Sequence, residues 1–135
     1  MKENKIITSG KRKRAVARAV TTEGAGKITL NKKPYETLQF FDKLKIEEPV
    51  RIAKNILGKL NFNITVSARG GGEKGQIEAS RIAIARAMIK FTGNKDLEKA
   101  FLDYDRNLLV ADVRRKEAYK PGDSKARRKR QTSYR

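Results

Sequence analysis

Two segments of the chain alternate between apolar and polar residues, the pattern of a β-strand with one buried face. Residues 11–22 place alanines on one face and larger side chains on the other: Ala15, Ala17 and Ala19 against Arg14, Val16, Arg18 and Val20. Residues 62–69 repeat the alternation through Phe62, Ile64, Val66 and Ala68. Glycines at 24 and 26 precede the apolar stretch at 27–30, so residues 11–30 are predicted to form a β-hairpin.

Other apolar residues recur at helical spacing. A long helix is predicted over about residues 75–92, with a core-facing stripe of Ile77, Ile84, Met88 and Phe91. Ile82 and Ile89 lie on a second flank, so this helix should pack on two sides. Another helix is predicted to begin at Glu47-Glu48-Pro49, because acidic residues and proline favour a first turn, and to end at Gly58. Shorter helices are predicted near residues 35–40 and 96–101.

The order strand, strand, helix, strand, helix predicts an α+β two-layer sandwich. A length of 135 residues fits one compact domain. The last 22 residues have few apolar or aromatic side chains, namely Ala118, Tyr119, Ala126 and Tyr134. Because so little apolar surface cannot offset the entropy of ordering, we predict one domain at residues 1–113 and an extended basic tail at residues 114–135 that orders on a partner.

The distribution of charge indicates a polyanionic partner. The chain has 33 Lys and Arg against 15 Asp and Glu, a formal net charge of +18. Residues 1–18 carry seven basic and one acidic side chain, and residues 114–135 carry ten and two. The 95 residues between them carry 16 and 12, so the middle of the chain is nearly balanced. Basic ends on a balanced domain are typical of proteins that bind nucleic acid.

The composition also excludes several kinds of chemistry. The chain has no Cys, His or Trp, which removes disulfides, thiolate or imidazole catalysis and Cys/His zinc sites. Asp103, Asp105 and Asp112 could be considered as a metal-dependent nuclease cluster, but their spacing is unconvincing. We therefore expect no enzyme, cofactor or metal. No apolar run approaches the length of a membrane span, and the first residues do not form a signal peptide, so a cytoplasmic protein is expected.

A glycine loop lies between the strand predicted at residues 62–69 and the long helix. Gly70, Gly72 and Gly75, with Gly71 between the first two, satisfy G-x-G-x-x-G, a weak match to a dinucleotide-binding motif. No parallel strand is predicted to follow the helix, and Gln76 stands where a phosphate-binding Walker loop has lysine. The glycines could simply permit a tight turn. With Lys74 and Arg81 nearby, contact with an RNA backbone is the preferred interpretation, because a helix N-terminus favours anions.

Two basic clusters extend this candidate interface. The first is Lys11, Arg12, Lys13 and Arg14 with Arg18; adjacent cations can form a solvated face, but phosphates would relieve their repulsion. The second lies in the tail and comprises Arg114, Arg115, Lys116, Lys125, Arg127, Arg128, Lys129 and Arg130. The basic run in the tail could instead be a localisation signal. RNA binding suits it equally well, because an arginine side chain can donate two hydrogen bonds to one phosphate.

Several motifs together resemble the universal S nine family, the ninth protein of the small ribosomal subunit. Residues 9–19 (SGKRKRAVARA) are similar to its opening strand and residues 26–34 to its second strand. Residues 70–88 are similar to its glycine loop and helix. The C-terminal pattern through Arg135 agrees too, so the resemblance covers nearly the whole chain in the right order.

The resemblance implies a fold like the second domain of ribosomal protein S five: a mixed sheet of about four strands backed by helices. It also implies a structural role in the head of the small subunit, with small-subunit rRNA and neighbouring head proteins as partners. The tail would reach the peptidyl-site tRNA, where Ser133, Tyr134 and Arg135 correspond to the contacting end. Two sequences, Val110-Ala111-Asp112 and Ser133-Tyr134-Arg135, depart from the common bacterial pattern and are similar to the archaeal and eukaryotic branch.

Two other functions remain open from the residues alone. The glycine loop could serve a nucleotide-binding or nucleic-acid-processing enzyme. A free basic protein could also act on nucleic acids away from the ribosome. The expectation carried forward is a ribosome-bound, RNA-binding protein that is not an enzyme.

Overall fold

The computed structural model describes residues 5–109 and has an open mixed sheet of five strands with three α-helices. The strands are β1 (Ile6–Arg12), β2 (Ala15–Glu23), β3 (Ile28–Leu30), β4 (Lys33–Pro34) and β5 (Phe62–Arg69). The helices are α1 (Phe40–Leu57), α2 (Glu73–Thr92) and α3 (Lys95–Tyr104), with 3-10 turns at Tyr35–Thr37 and Arg106–Leu108. The predicted α+β class is confirmed. The predicted tail lies outside the described residues.

The first hairpin differs from the prediction. Residues 11–22 are not one strand: β1 and β2 pair in antiparallel fashion from Ile6↔Thr21 to Arg12↔Ala15, and Lys13 and Arg14 form the turn between them. Lys13 adopts a left-handed backbone with φ 54°. Turns of this kind usually contain Gly or Asn, so a run of four cations gave no signal of one.

The predicted pairing of residues 11–30 as a hairpin is also wrong. Strand β5 lies between β2 and β3, antiparallel to β2 and parallel to β3, in the order β1-β2-β5-β3-β4. The β2–β3 connection wraps around the side chain of Asn63 on β5. Its Oδ1 accepts hydrogen bonds from the backbone N–H groups of Ala25, Gly26 and Lys27 at 3.1, 3.2 and 3.0 Å. The β2–β3 connection has the sequence of a simple hairpin turn, but its conformation is held by Asn63, a residue distant in the chain.

Helix α1 begins seven residues before its predicted start and contains Pro49 in its interior. An interior proline removes one backbone hydrogen bond and costs about 3 kcal/mol. Burial of Ile46, Val50 and Ala53 on the same helix offsets that cost. The predicted end at Gly58 is confirmed, because its backbone N–H donates to the Lys54 carbonyl at 2.9 Å.

Helix α2 packs on two sides, as its two apolar flanks predicted. It contacts β1, β2 and β5 on one side and α1 on another. Small residues bring it close to the first hairpin: a Cβ at Gly10 would lie 2.3 Å from the Ala79 carbonyl oxygen and 2.8 Å from the Ala83 nitrogen. Ala15, Ala17 and Ala19 of β2, like Ala79 and Ala83 of α2, are fully buried. The alanine face of β2 is thus a surface for close helix packing.

We expect Gly10→Ala to lower the free energy of unfolding by about 1–3 kcal/mol, because the added methyl would meet backbone atoms of α2 that cannot move aside. Denaturant unfolding followed by circular dichroism measures this. Gly75→Ala is the matched control: its Cβ would lie 3.5 Å from the Ala15 methyl, an ordinary contact, so stability should be unchanged or slightly raised. Equal stability of the two variants would contradict the close packing of α2 on β1.

Candidate nucleic-acid interface

The glycine loop lies directly against the turn of the first hairpin. Gly70 and Gly71 both have left-handed backbones, with φ 75° and 60°. A Cβ at Gly70 would lie 2.6 Å from the Arg14 carbonyl oxygen, and one at Gly71 would lie 3.1 Å from the Ala15 nitrogen. These glycines are therefore needed for backbone conformation and for close approach to the hairpin. This explanation requires no nucleotide.

The hairpin turn, the glycine loop and the start of α2 surround a cleft of about 510 Å³. Its lining combines cations, glycine backbone and one carboxylate: Arg12, Lys13, Arg14, Gly71, Gly72, Lys74, Gly75 and Glu78. Helix α2 begins after Gly72 with no side-chain cap on its first backbone N–H groups. Unpaired N–H groups and the helix dipole favour an anion at this end of the helix. We call this site the hairpin cleft.

Two carboxylates fix two of the cleft cations. Glu78 on α2 lies 2.6 Å from Arg12 Nε and 3.5 Å from Lys45 Nζ. Asp42, which is fully buried in the first turn of α1, accepts a hydrogen bond from Lys74 Nζ at 2.8 Å. That hydrogen bond raises the pKa of Lys74 above its usual value, because it stabilises the charged form of the ammonium group. The carboxylates position these cations and neutralise part of their charge.

Lys13 and Arg14 differ from those two cations. Both are exposed at the hairpin turn, and neither forms an ion pair with a carboxylate among residues 5–109. Their charge is available to an external anion, next to the uncapped start of α2. The structure thus brings together Arg12, Lys13, Arg14, Lys74 and the glycine loop, which were separate candidates in the sequence.

Lys11 and Arg18 were predicted to act with these residues, but the structure places them on the opposite face of the sheet. Side chains alternate along a strand, and the helix-facing side of β2 is taken by Ala15, Ala17 and Ala19. Arg69 of β5 lies on the same outward face and was not among the predicted residues. Its place in one polar series with Thr65 and Ser67, which alternates with apolar residues along β5, was the signal that could have identified it.

Arg81 does not reach the hairpin cleft. It lies eight residues after the start of α2, about 12 Å along the helix axis. Its guanidinium forms ion pairs with Glu48 of α1 and with Asp105, the latter at 3.5 Å. With a side chain only 14% exposed, Arg81 connects α1, α2 and the end of α3. The sequence offered no signal for this role, because the three residues are distant in the chain.

Arg86 is a further residue that the sequence analysis missed. Its Nε donates to the Leu109 carbonyl and its guanidinium donates to the Ser9 carbonyl, both at 2.8 Å. It thereby ties the end of the described chain to β1. The remaining predicted site residues lie outside the described residues: Arg114, Arg115, Lys116, Lys125, Arg127, Arg128, Lys129, Arg130, Ser133, Tyr134 and Arg135.

Metal-binding clusters and membrane-spanning helices are both absent from the described part of the chain. Residues 5–109 contain no group of three or more Asp, Glu, His or Cys placed to hold a metal ion. No helix in that range has the length and apolar character needed to cross a membrane.

The placement of Arg81 generates a direct test of its role. We expect Arg81→Met to lower the free energy of unfolding by about 1–2 kcal/mol, because Glu48 and Asp105 lose their shared cation. The value is modest since both carboxylates are about one-third exposed. Denaturant unfolding measures stability, and RNA affinity is measured in parallel at fixed salt. A loss of RNA affinity without loss of stability would instead support the role predicted from the sequence.

Comparison with known proteins identifies the family. The profile of the family described as ribosomal protein S9/S16 matches residues 10–135. The small ribosomal subunit protein uS9 of Methanococcus vannielii is 48% identical over 133 residues, covering 96% of this chain and 98% of that protein. The uS9 protein of Thermoplasma volcanium is 48% identical over 131 residues with the same coverage. Both organisms are archaea, in agreement with the archaeal and eukaryotic branch that residues 110–112 and 133–135 indicated. The chain belongs to the ribosomal protein S9/S16 family.

Proposed function

We propose that this protein is a structural component of the small ribosomal subunit and that the hairpin cleft binds the phosphate backbone of its rRNA. Family membership supports the structural role, and the family is not an enzyme class. The observation that carries RNA binding is the cleft itself. There, exposed Lys13 and Arg14 lie beside the uncapped N-terminus of a 20-residue helix.

The cleft suits a phosphate for three reasons. Lys13 and Arg14 supply charge that no carboxylate of the described residues neutralises. Arg12 and Lys74 are held in place by Glu78 and Asp42, so less side-chain entropy is lost when an anion binds. The glycine loop has no side chains that would keep an oxyanion from the backbone N–H groups at the start of α2. Such contacts orient a protein on RNA without reading its sequence.

The tail completes the proposal. Residues 114–135 carry ten basic side chains against two acidic ones and would leave the domain of residues 1–113 as an extended segment on rRNA. In this proposal Ser133, Tyr134 and Arg135 contact the peptidyl-site tRNA, and other proteins of the subunit head adjoin the domain. Support comes from the tail's charge and from the family motif that ends at Arg135.

The salt dependence of RNA binding tests the cleft. We expect Lys13→Gln combined with Arg14→Gln to weaken binding to a transcript of the rRNA region that forms the subunit head. The slope of log affinity against log salt concentration should also fall in magnitude by about 1–2, because RNA binding releases about one counterion fewer for each phosphate contact that is lost. The matched control is Lys95→Gln with Lys99→Gln, which removes the same charge from exposed positions on α3.

A wild-type slope near zero would exclude phosphate contacts altogether. An equal fall in slope for the control pair would show that net charge matters and the cleft does not.

Deletion of residues 125–135 tests the tail. Subunits reconstituted with the shortened protein should bind peptidyl-site tRNA several-fold more weakly in a filter-binding titration, because the contacts of the tail end are lost. The circular dichroism of the isolated protein should not change. A protein with the order of residues 125–135 scrambled is the control, because it keeps the charge and length of the tail. Unchanged tRNA affinity after the deletion would contradict the proposed tail contact.

A further inference from the structure

The face of the sheet that points away from the helices is open in the described part of the chain. None of the outward-facing residues of β1, β2 and β5 is buried. Most of them are polar, and they include serine, threonine and asparagine. No carboxylate occurs among them. An open, polar sheet face without negative charge differs from a face that another apolar layer would cover.

Three cations cluster on this face around Val16. The register of β1 and β2 places Lys11 opposite Val16, and the register of β2 and β5 places Arg69 opposite Val16. Arg18 follows two residues along β2, on the same face. Opposite residues in antiparallel strands lie about 5 Å apart and diagonal ones about 7–8 Å apart. The three positively charged side chains therefore extend from neighbouring points of the sheet, and we call them the outer cation cluster.

The outer cation cluster borders a groove. Val16, Arg18, Ser67 and Arg69 line a depression of about 410 Å³. Its lining joins two guanidinium groups and a serine hydroxyl, all of which can donate hydrogen bonds to phosphate oxygens. Among residues 5–109, Lys11, Arg18 and Arg69 form no ion pair with a carboxylate. Like charges this close repel one another unless an anion lies between them.

The charges also indicate which occupant suits the face. The chain's own tail has a large excess of basic residues, so repulsion opposes its docking here. A second copy of the chain would present the same positive charge. A phosphate backbone carries the complementary charge at regular spacing, and serine and threonine hydroxyls commonly contribute to contacts with it.

We propose that the outer cation cluster is a second RNA-backbone site, so that the first hairpin bridges two RNA segments, one in the hairpin cleft and one across the sheet. The inference rests on the proposed function and extends it from a single contact to a two-sided one. Strand alternation is what separates the sites: Arg12 points toward the helices and is held by Glu78, whereas Lys11 points away from them. The first hairpin would then contact one RNA segment on each of its two faces.

Footprinting on one RNA distinguishes the two sites. The probe is a folded transcript of the rRNA region that forms the subunit head, cleaved by hydroxyl radicals with and without full-length protein. Arg18→Gln with Arg69→Gln should abolish protection in one segment, and Lys13→Gln with Arg14→Gln should abolish it in a different one. Each pair should reduce affinity about tenfold or more. The control pair Lys95→Gln with Lys99→Gln should keep both protected segments.

The outcomes separate this inference from the proposed function. If Arg18→Gln with Arg69→Gln leaves all protection and affinity intact while the cleft pair loses both, the cleft function holds and the second site is wrong. If both double substitutions abolish protection of the same RNA segment, the proposal that the hairpin bridges two segments is wrong. If neither pair changes binding, the proposed function of the cleft fails as well. Circular dichroism of each variant verifies folding, and the substituted side chains are exposed, so the fold should persist.

Discussion

The close contact between α2 and the first hairpin is the constraint on which the rest of the structure depends. Gly10 leaves no room for a side chain against Ala79 and Ala83, and the buried alanines of β2 extend that surface. Because α2 lies so close to the sheet, its first turn meets the hairpin turn, and Gly70 and Gly71 complete the junction without a steric clash. The hairpin cleft is a direct result of this packing, since its two walls belong to the two elements in contact.

Ion pairs with carboxylates determine which basic side chains remain available to bind an external anion. The middle of the chain has nearly as many acidic as basic residues, and several of those acids have specific partners. Glu78 and Asp42 hold Arg12 and Lys74 at the cleft, while Glu48 and Asp105 hold Arg81 between helices. The cations left without carboxylate partners in the described part include Lys13, Arg14, Lys11, Arg18 and Arg69, and these lie at the hairpin turn and on the outer face. The domain therefore presents these cations as two basic surfaces, one at the hairpin cleft and one on the outer face of the sheet.

The glycine loop shows how one motif allows two explanations that only geometry separates. Spacing alone made it a weak candidate for nucleotide binding. In the structure, positive φ values and the approach to Arg14 and Ala15 account for Gly70 and Gly71. Helix α2 leads into α3, so the described chain has no parallel strand after it to form a dinucleotide-binding unit. The packing of the loop against the hairpin therefore explains Gly70 and Gly71 without a bound nucleotide.

The sequence by itself determined the α+β class, the two faces of β2 and β5, the two-sided packing of α2 and the family, because alternation, helical spacing and motif order are local properties of the chain. Tertiary structure alone decided the Lys13-Arg14 turn, the insertion of β5 between β2 and β3, and the helical environment of Pro49. It also decided that Arg81 pairs with Glu48 and Asp105, and that α2 covers the face of the first hairpin to which Arg12 points. These outcomes depend on contacts between residues distant in sequence, whose energies outweigh local preference.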